Sequence, residues 1–122
     1  MLTQLIYSSR ASRILNNTDL SSIISSSQRN NALVDITGAM CYANGTFLQC
    51  LEGDSLAVSH LYEHITRDER HTELKILNVN PITERLFPTW SMEFYSGEND
   101  IGQLFLKHSF MAEFNPFYHD SF

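Results

Sequence analysis

The sequence predicts an α+β domain with two helices on one face of a mostly antiparallel sheet. Three features of the chain predict it. Several short segments place apolar residues at a two-residue period, and two longer ones place them at i, i+3, i+4. Asn44-Gly45, the strongest short hairpin turn, joins two of the strand segments.

The elements follow in order. Residues 2–8 read as a strand with Leu5 and Tyr7 on one face and Gln4 and Ile6 on the other. Residues 19–31 read as a helix, with Thr18 as N-cap and Asp19 favourable in the first turn. Its stripe runs Leu20, Ile23, Ile24 and then, at the same spacing, Ser27 and Asn31. One face thus starts apolar and ends polar. Residues 35–43 and 46–52 form the hairpin. A two-residue turn sets Tyr42 opposite Phe47, Met40 opposite Gln49 and Gly38 opposite Leu51, all on the covered face. Cys41 and Cys50 then fall diagonally on the other face, too far apart for a disulfide. Residues 54–67 form the second helix, capped by Asp54, with Val58, Leu61, Tyr62 and Ile65 as its stripe. Arg67 to His71 is a charged helix end and loop, and residues 73–79 and 89–95 read as the last strands. The order β-α-β-β-α-β plus one strand is the split βαβ, ferredoxin-like arrangement.

Composition excludes several functions. With 122 residues, 43% of them hydrophobic, the chain suits one domain with a core. Eight Lys and Arg against 14 Asp and Glu give a net charge of −6, which argues against a general nucleic-acid binder. No apolar run is long enough to span a membrane, and the first residues do not read as a signal peptide. Two cysteines without an export signal point to reduced thiols and a cytoplasmic protein. Neither a nucleophile elbow nor a P-loop is present. His60 and His64 sit at i, i+4, but 200–240° around from Val58, so they read as solvent-facing rather than as metal ligands.

The candidate site lies in polar residues that the periodicities place inside. Asn31 and Gln49 reach the sheet–helix interface independently, and a buried amide without partners costs about 1–3 kcal/mol. A ligand with matching donors and acceptors relieves that cost, and Gly38 is expected to make room for it. Six blocks in order then resemble one family: Leu5-Ile6-Tyr7-Ser8-Ser9, Gln28-Arg29-Asn30-Asn31, Ile36-Thr37-Gly38-Ala39, Phe47-Leu48-Gln49-Cys50-Leu51-Glu52-Gly53, Asp68-Glu69-Arg70-His71 and Phe87-Pro88-Thr89-Trp90-Ser91-Met92. Over residues 2–95 the chain resembles the BLUF domain, a blue-light sensor that uses FAD.

The resemblance implies a flavin between the two helices and against the sheet. It assigns Tyr7, Ser27, Asn30, Asn31, Gln49, Ile65, Asp68, Arg70 and His71 to the cofactor site. Tyr7 and Gln49 carry the photochemistry: the phenol gives up an electron and a proton, and the glutamine rearranges. Arg70 and His71 match the loop near the phosphate and ribose of FAD. Trp90, Ser91 and Met92 match the signalling strand. It further implies a flavin-binding domain over residues 1–96 and a helical extension over 97–122 that packs on the sheet or forms an interface. The expected function is a photoreceptor without enzymatic output, in a homo-oligomer, signalling to a separate protein. The competing reading is a colourless, ferredoxin-like dimeric module that binds another small ligand.

Overall fold

The computed structural model describes residues 1–43, 45–88 and, as backbone, 93–96. Its elements are β1 (Leu2–Ala11), α1 (Asn17–Leu33), β2 (Thr37–Ala43), β3 (Thr46–Asp54), α2 (Ser55–Thr66), β4 (His71–Pro81) and β5 (Glu93–Ser96). They form one sheet in the order β4-β1-β3-β2-β5. The first four strands pair antiparallel, and β5 adds to β2 in parallel. This is the expected ferredoxin-like topology with one strand appended at the edge. The last strand's expected start at residues 89–92, and the expected extension over 97–122, lie outside the described residues.

The hairpin register is as the turn dictates: Tyr42 pairs with Phe47, Met40 with Gln49 and Gly38 with Leu51. The two-residue period sorts side chains between faces. Leu5, Tyr7, Met40, Phe47 and Leu51 join Ile23, Ile36 and Val58 in the core beneath the helices. Ile6, Ala39, Cys41, Leu48 and Cys50 form a second buried cluster behind the sheet with Phe87. Both cysteines are free, and burial pushes their thiols well above the usual range.

Three details differ from the sequence reading. Helix α1 is capped by Asn16, not Thr18: the Asn16 carboxamide accepts from Asp19 N at 2.8 Å and Asp19 accepts from Asn16 N at 3.1 Å. This reciprocal box satisfies two orphan donors, with Asp in place of the usual Glu or Gln. Strands β1 and β4 run further than their apolar pattern, because Arg10 and Ala11 still pair with Thr72 and His71. Their register shifts between Ile6 and Tyr7 and again between Ser8 and Arg10, so bulges flank Tyr7. Third, Gly38 makes no space for a ligand. A Cβ there would overlap the carbonyl oxygen of Cys50 and stand 3.0 Å from its carbonyl carbon. The glycine serves the close approach of two strands.

Candidate functional site

A cavity opens between α1, α2 and the helix-facing side of the sheet. It has about 560 Å³ of empty space, counting its open mouth. Strands supply its floor (Tyr7, Met40 and Gln49), helix α1 one wall (Ile23, Ser26, Ser27, Asn30 and Asn31) and α2 the other (Leu61, His64 and Ile65). Asp68 and Arg70, from the α2–β4 connection, and His71, the first residue of β4, close one end. All nine residues assigned to the cofactor site from sequence therefore line one cavity. Trp90, Ser91 and Met92 lie outside the described residues.

Tyr7 and Gln49 are direct cross-strand partners on β1 and β3. Both are buried, and the Tyr7 hydroxyl donates to Gln49 Oε1. The Tyr62 ring meets Tyr7 edge-on, with centroids 5.2 Å apart and planes at 71°. Burial, then the neighbouring Tyr62 and Asp68, push the Tyr7 hydroxyl far above its usual range. It holds its proton at every ordinary pH.

Asn31 is 2% exposed near the end of α1. The helix ends in paired turns there: Ile36 N donates to Asn31 O at 2.9 Å and Asp35 N to Ala32 O at 3.4 Å. This is a Schellman closure, with Asp35 (φ 55°) in the left-handed position usually given to glycine. It seats Ile36 in the core and pins the turn that carries Asn31. Ser27 and Asn30 lie on the same side, less buried.

The polar end of the cavity is pre-ordered. Asp68 accepts from Arg70 N at 2.9 Å, Nε at 3.0 Å and Nη2 at 2.6 Å, a fork on a carboxylate. Arg70 holds the Asp68 carboxyl down at about 2. His71 Nδ1 lies 2.8 Å from Ser9 Oγ, and its ring packs on Phe47 at 4.8 Å. Burial lowers its pKa, so the imidazole is neutral near pH 7.

Sequence reasoning missed His64, which lines the cavity although it is largely exposed. It lies three residues after Leu61 and four before Asp68, a spacing that shares their face. Ser26, one turn before Asn30, was legible the same way. No metal-binding cluster of His, Cys, Asp or Glu exists among the described residues, and His60 is exposed.

Known proteins resemble the chain closely. The family of sensors of blue light using FAD matches residues 2–93. Photoactivated adenylate cyclase subunit beta of Euglena longa is 42% identical over 92 residues, covering 75% of this chain and 11% of that protein. The corresponding subunit of Euglena gracilis is 41% identical over 92 residues, with the same coverage of each, so the chain spans about a tenth of these relatives. Among solved structures, the photo-activated state of BlsA superposes with a TM-score of 0.79 at 32% identity, covering 95% of this chain and 87% of that one. The dark state of BlrB, a BLUF protein, gives 0.76 at 31% identity, covering 92% and 83%. A bacterial light-regulated adenylyl cyclase gives 0.78 at 33%, covering 88% of this chain and 32% of that one.

The residues present suit a flavin. Ile23, Met40, Leu61 and Ile65 give the cavity apolar walls that suit a flat ring system, and Asn31 and Gln49 bring both donors and acceptors into it. With sequence, fold and cavity in agreement, the chain belongs to the BLUF family, the sensors of blue light using FAD.

Proposed function

We propose that this chain is a cytoplasmic blue-light photoreceptor that holds FAD non-covalently in the α1–α2 cavity and signals to a separate protein without enzymatic output of its own. The observation that carries the reading is the buried Tyr7–Gln49 hydrogen bond on the floor of that cavity. Bound flavin supplies the light absorption and the acceptor for an electron.

The chain's own residues set what can follow. Tyr7 is wholly buried, so an uncompensated charge on its phenol is strongly disfavoured. Loss of an electron alone leaves a cation, and loss of a proton alone leaves an anion. Loss of both together leaves a neutral side chain, and Gln49 Oε1 already accepts from the departing proton's oxygen. Gln49 carries an acceptor at one end of its amide and a two-hydrogen donor at the other. Turning that amide, or shifting it to its other tautomer, exchanges what it offers to Tyr7 and to the cavity. Such a change alters hydrogen bonding at the ring edge and hence the colour of the cofactor. Asn31 fixes the ring from α1, Ser27, Asn30 and Ile65 complete the walls, and Asp68 orients Arg70 beside His71 for the polar tail of FAD.

We assign output to Trp90, Ser91 and Met92, and residues 97–122 to a helical extension that covers the back of the sheet or joins two copies in a homo-oligomer.

The test is the absorption spectrum of the purified protein in the dark and after blue light. A flavin spectrum that shifts slightly to the red and recovers in darkness is expected. A spectrum that only bleaches removes the switch, and absence of visible absorption after adding FAD removes the photoreceptor reading.

A further inference from the structure

Glu52 is fully buried on the sheet face away from the cavity. A buried carboxyl group needs its oxygens bonded. Here Oε1 accepts from Phe87 N at 2.8 Å, while Oε2 accepts from Gln4 Nε2 at 2.8 Å and Leu86 N at 3.0 Å. No ion pair reaches it among the described residues. Two successive backbone N–H groups on one carboxyl fix both the position and the direction of that backbone, which packing alone does not. Arg85 completes the attachment. Its guanidinium donates to Thr37 Oγ1 at 2.8 Å, to Glu52 O at 3.1 Å and to Asp35 O at 2.9 Å. Residues 85–87 are thereby tied to β1, β2, β3 and the end of α1, the elements that carry Tyr7, Met40, Gln49 and Asn31.

We infer that Glu52 is a positioning residue that transmits a change at Gln49 to the segment leading into β5; this rests on the photoreceptor reading above. The β1–β3 ladder pairs Tyr7 with Gln49 and, three rungs on, Gln4 with Glu52. An odd separation puts the two pairs on opposite faces. One strand pair therefore carries a hydrogen-bonded clamp on each side. A change in the Tyr7–Gln49 bond shifts β1 against β3, and Glu52 moves with β3. Leu86 and Phe87 follow it through their N–H groups. Beyond Pro88 the chain reaches residues 89–92 and then β5, which pairs with β2.

The test is amide hydrogen–deuterium exchange of the full FAD-loaded chain, in darkness and under blue light, with the flavin spectrum taken on the same samples. In the wild type, residues 82–96 are expected to exchange differently in the two conditions. Glu52→Gln keeps the shape but turns a donor toward donors. It is expected to keep the flavin shift, to speed dark exchange at Leu86 and Phe87 by about tenfold or more, and to lose the light–dark difference. Gln4→Met leaves both backbone donors on Glu52 and is expected to shrink that difference, which covers a Glu52→Gln chain that does not fold. An undiminished difference in either folded variant overturns the inference, as does loss of the flavin shift in Glu52→Gln. A wild type that shifts without any difference over 82–96 overturns it alone. A wild type with no flavin shift overturns the photoreceptor reading with it.

Discussion

Replacing Gly38 by alanine puts a methyl group where backbone already stands. The added Cβ would overlap the Cys50 carbonyl oxygen, with the Cys50 carbonyl carbon at 3.0 Å and Leu51 Cα at 3.4 Å. None of these atoms can rotate away, so β2 and β3 must part by about an ångström at the Gly38–Leu51 pair. That forfeits the ladder bonds around it, each worth about 1 kcal/mol net, and loosens the core beneath; we expect about 3 kcal/mol of destabilisation. For a domain of this size that lowers Tm by about 12 °C. Met40 and Gln49 lie two residues from the clash, on the cavity floor, so flavin content should fall as well. Gly53→Ala is the control. Its Cβ would meet Ile36 Cγ1 at 3.0 Å and the Asp35 carbonyl oxygen at 3.3 Å, tight contacts that a shift of a few tenths of an ångström relieves rather than a parting of two strands, for about 1 kcal/mol. Thermal unfolding in the dark, with bound flavin measured by absorbance, reads both variants. A Gly38→Ala protein that melts no lower than Gly53→Ala and carries full flavin refutes the close-approach argument.

Gln49→Leu should bind FAD yet show no red shift, because the amide that changes what it offers is gone; light–dark difference spectra check this. Tyr7→Phe deletes the hydroxyl that donates to Gln49 and should also abolish the shift while leaving the fold within about 1–2 kcal/mol, read by urea unfolding. Asp68, held down at about 2 by Arg70 against an ordinary 3.8, adds stability that is full above its unfolded value. That stability drains away as pH falls from about 4 to about 2, and Asp68→Asn should flatten this part of the urea-midpoint profile. His71 has the opposite chemistry and the same slope. Burial keeps it neutral, so below its ordinary 6.5 the unfolded chain takes the proton first and stability drops with pH; His71→Gln should remove the fall that sets in as pH passes down through 6.5.

The site was legible where periodicity and register fix direction. Gln49 faces the cavity because an Asn-Gly turn leaves one register, and Asn31 because it continues the stripe of Leu20, Ile23 and Ser27. The chain ends of elements were less legible. Asn16 caps α1 through a carboxamide–carboxylate exchange that Thr18 imitates in sequence, and β1 runs on past Ser8 through Ser9, Arg10 and Ala11, whose pairing with β3 and β4 no apolar pattern signals. Gly38 shows a different failure. Composition says that space is needed there but not on which side of the strand plane, and only the approach of Cys50 decides it. Glu52 was invisible as a buried group, since its donors lie 48, 34 and 35 residues away.

The two thiols behind the sheet have a practical consequence. Cys41 sits on β2 and Cys50 on β3, one residue from Met40 and Gln49 respectively, and both are sealed from water and held as S–H. The S–H stretch falls in an infrared window that backbone and flavin leave empty. Its frequency follows the strength of the local hydrogen bond, so each cysteine is an unlabelled vibrational reporter on the reverse side of a cavity-lining strand. Replacing one at a time by alanine would assign the two bands, and a time-resolved recording could then order motion of β3 and β2 without a probe being added.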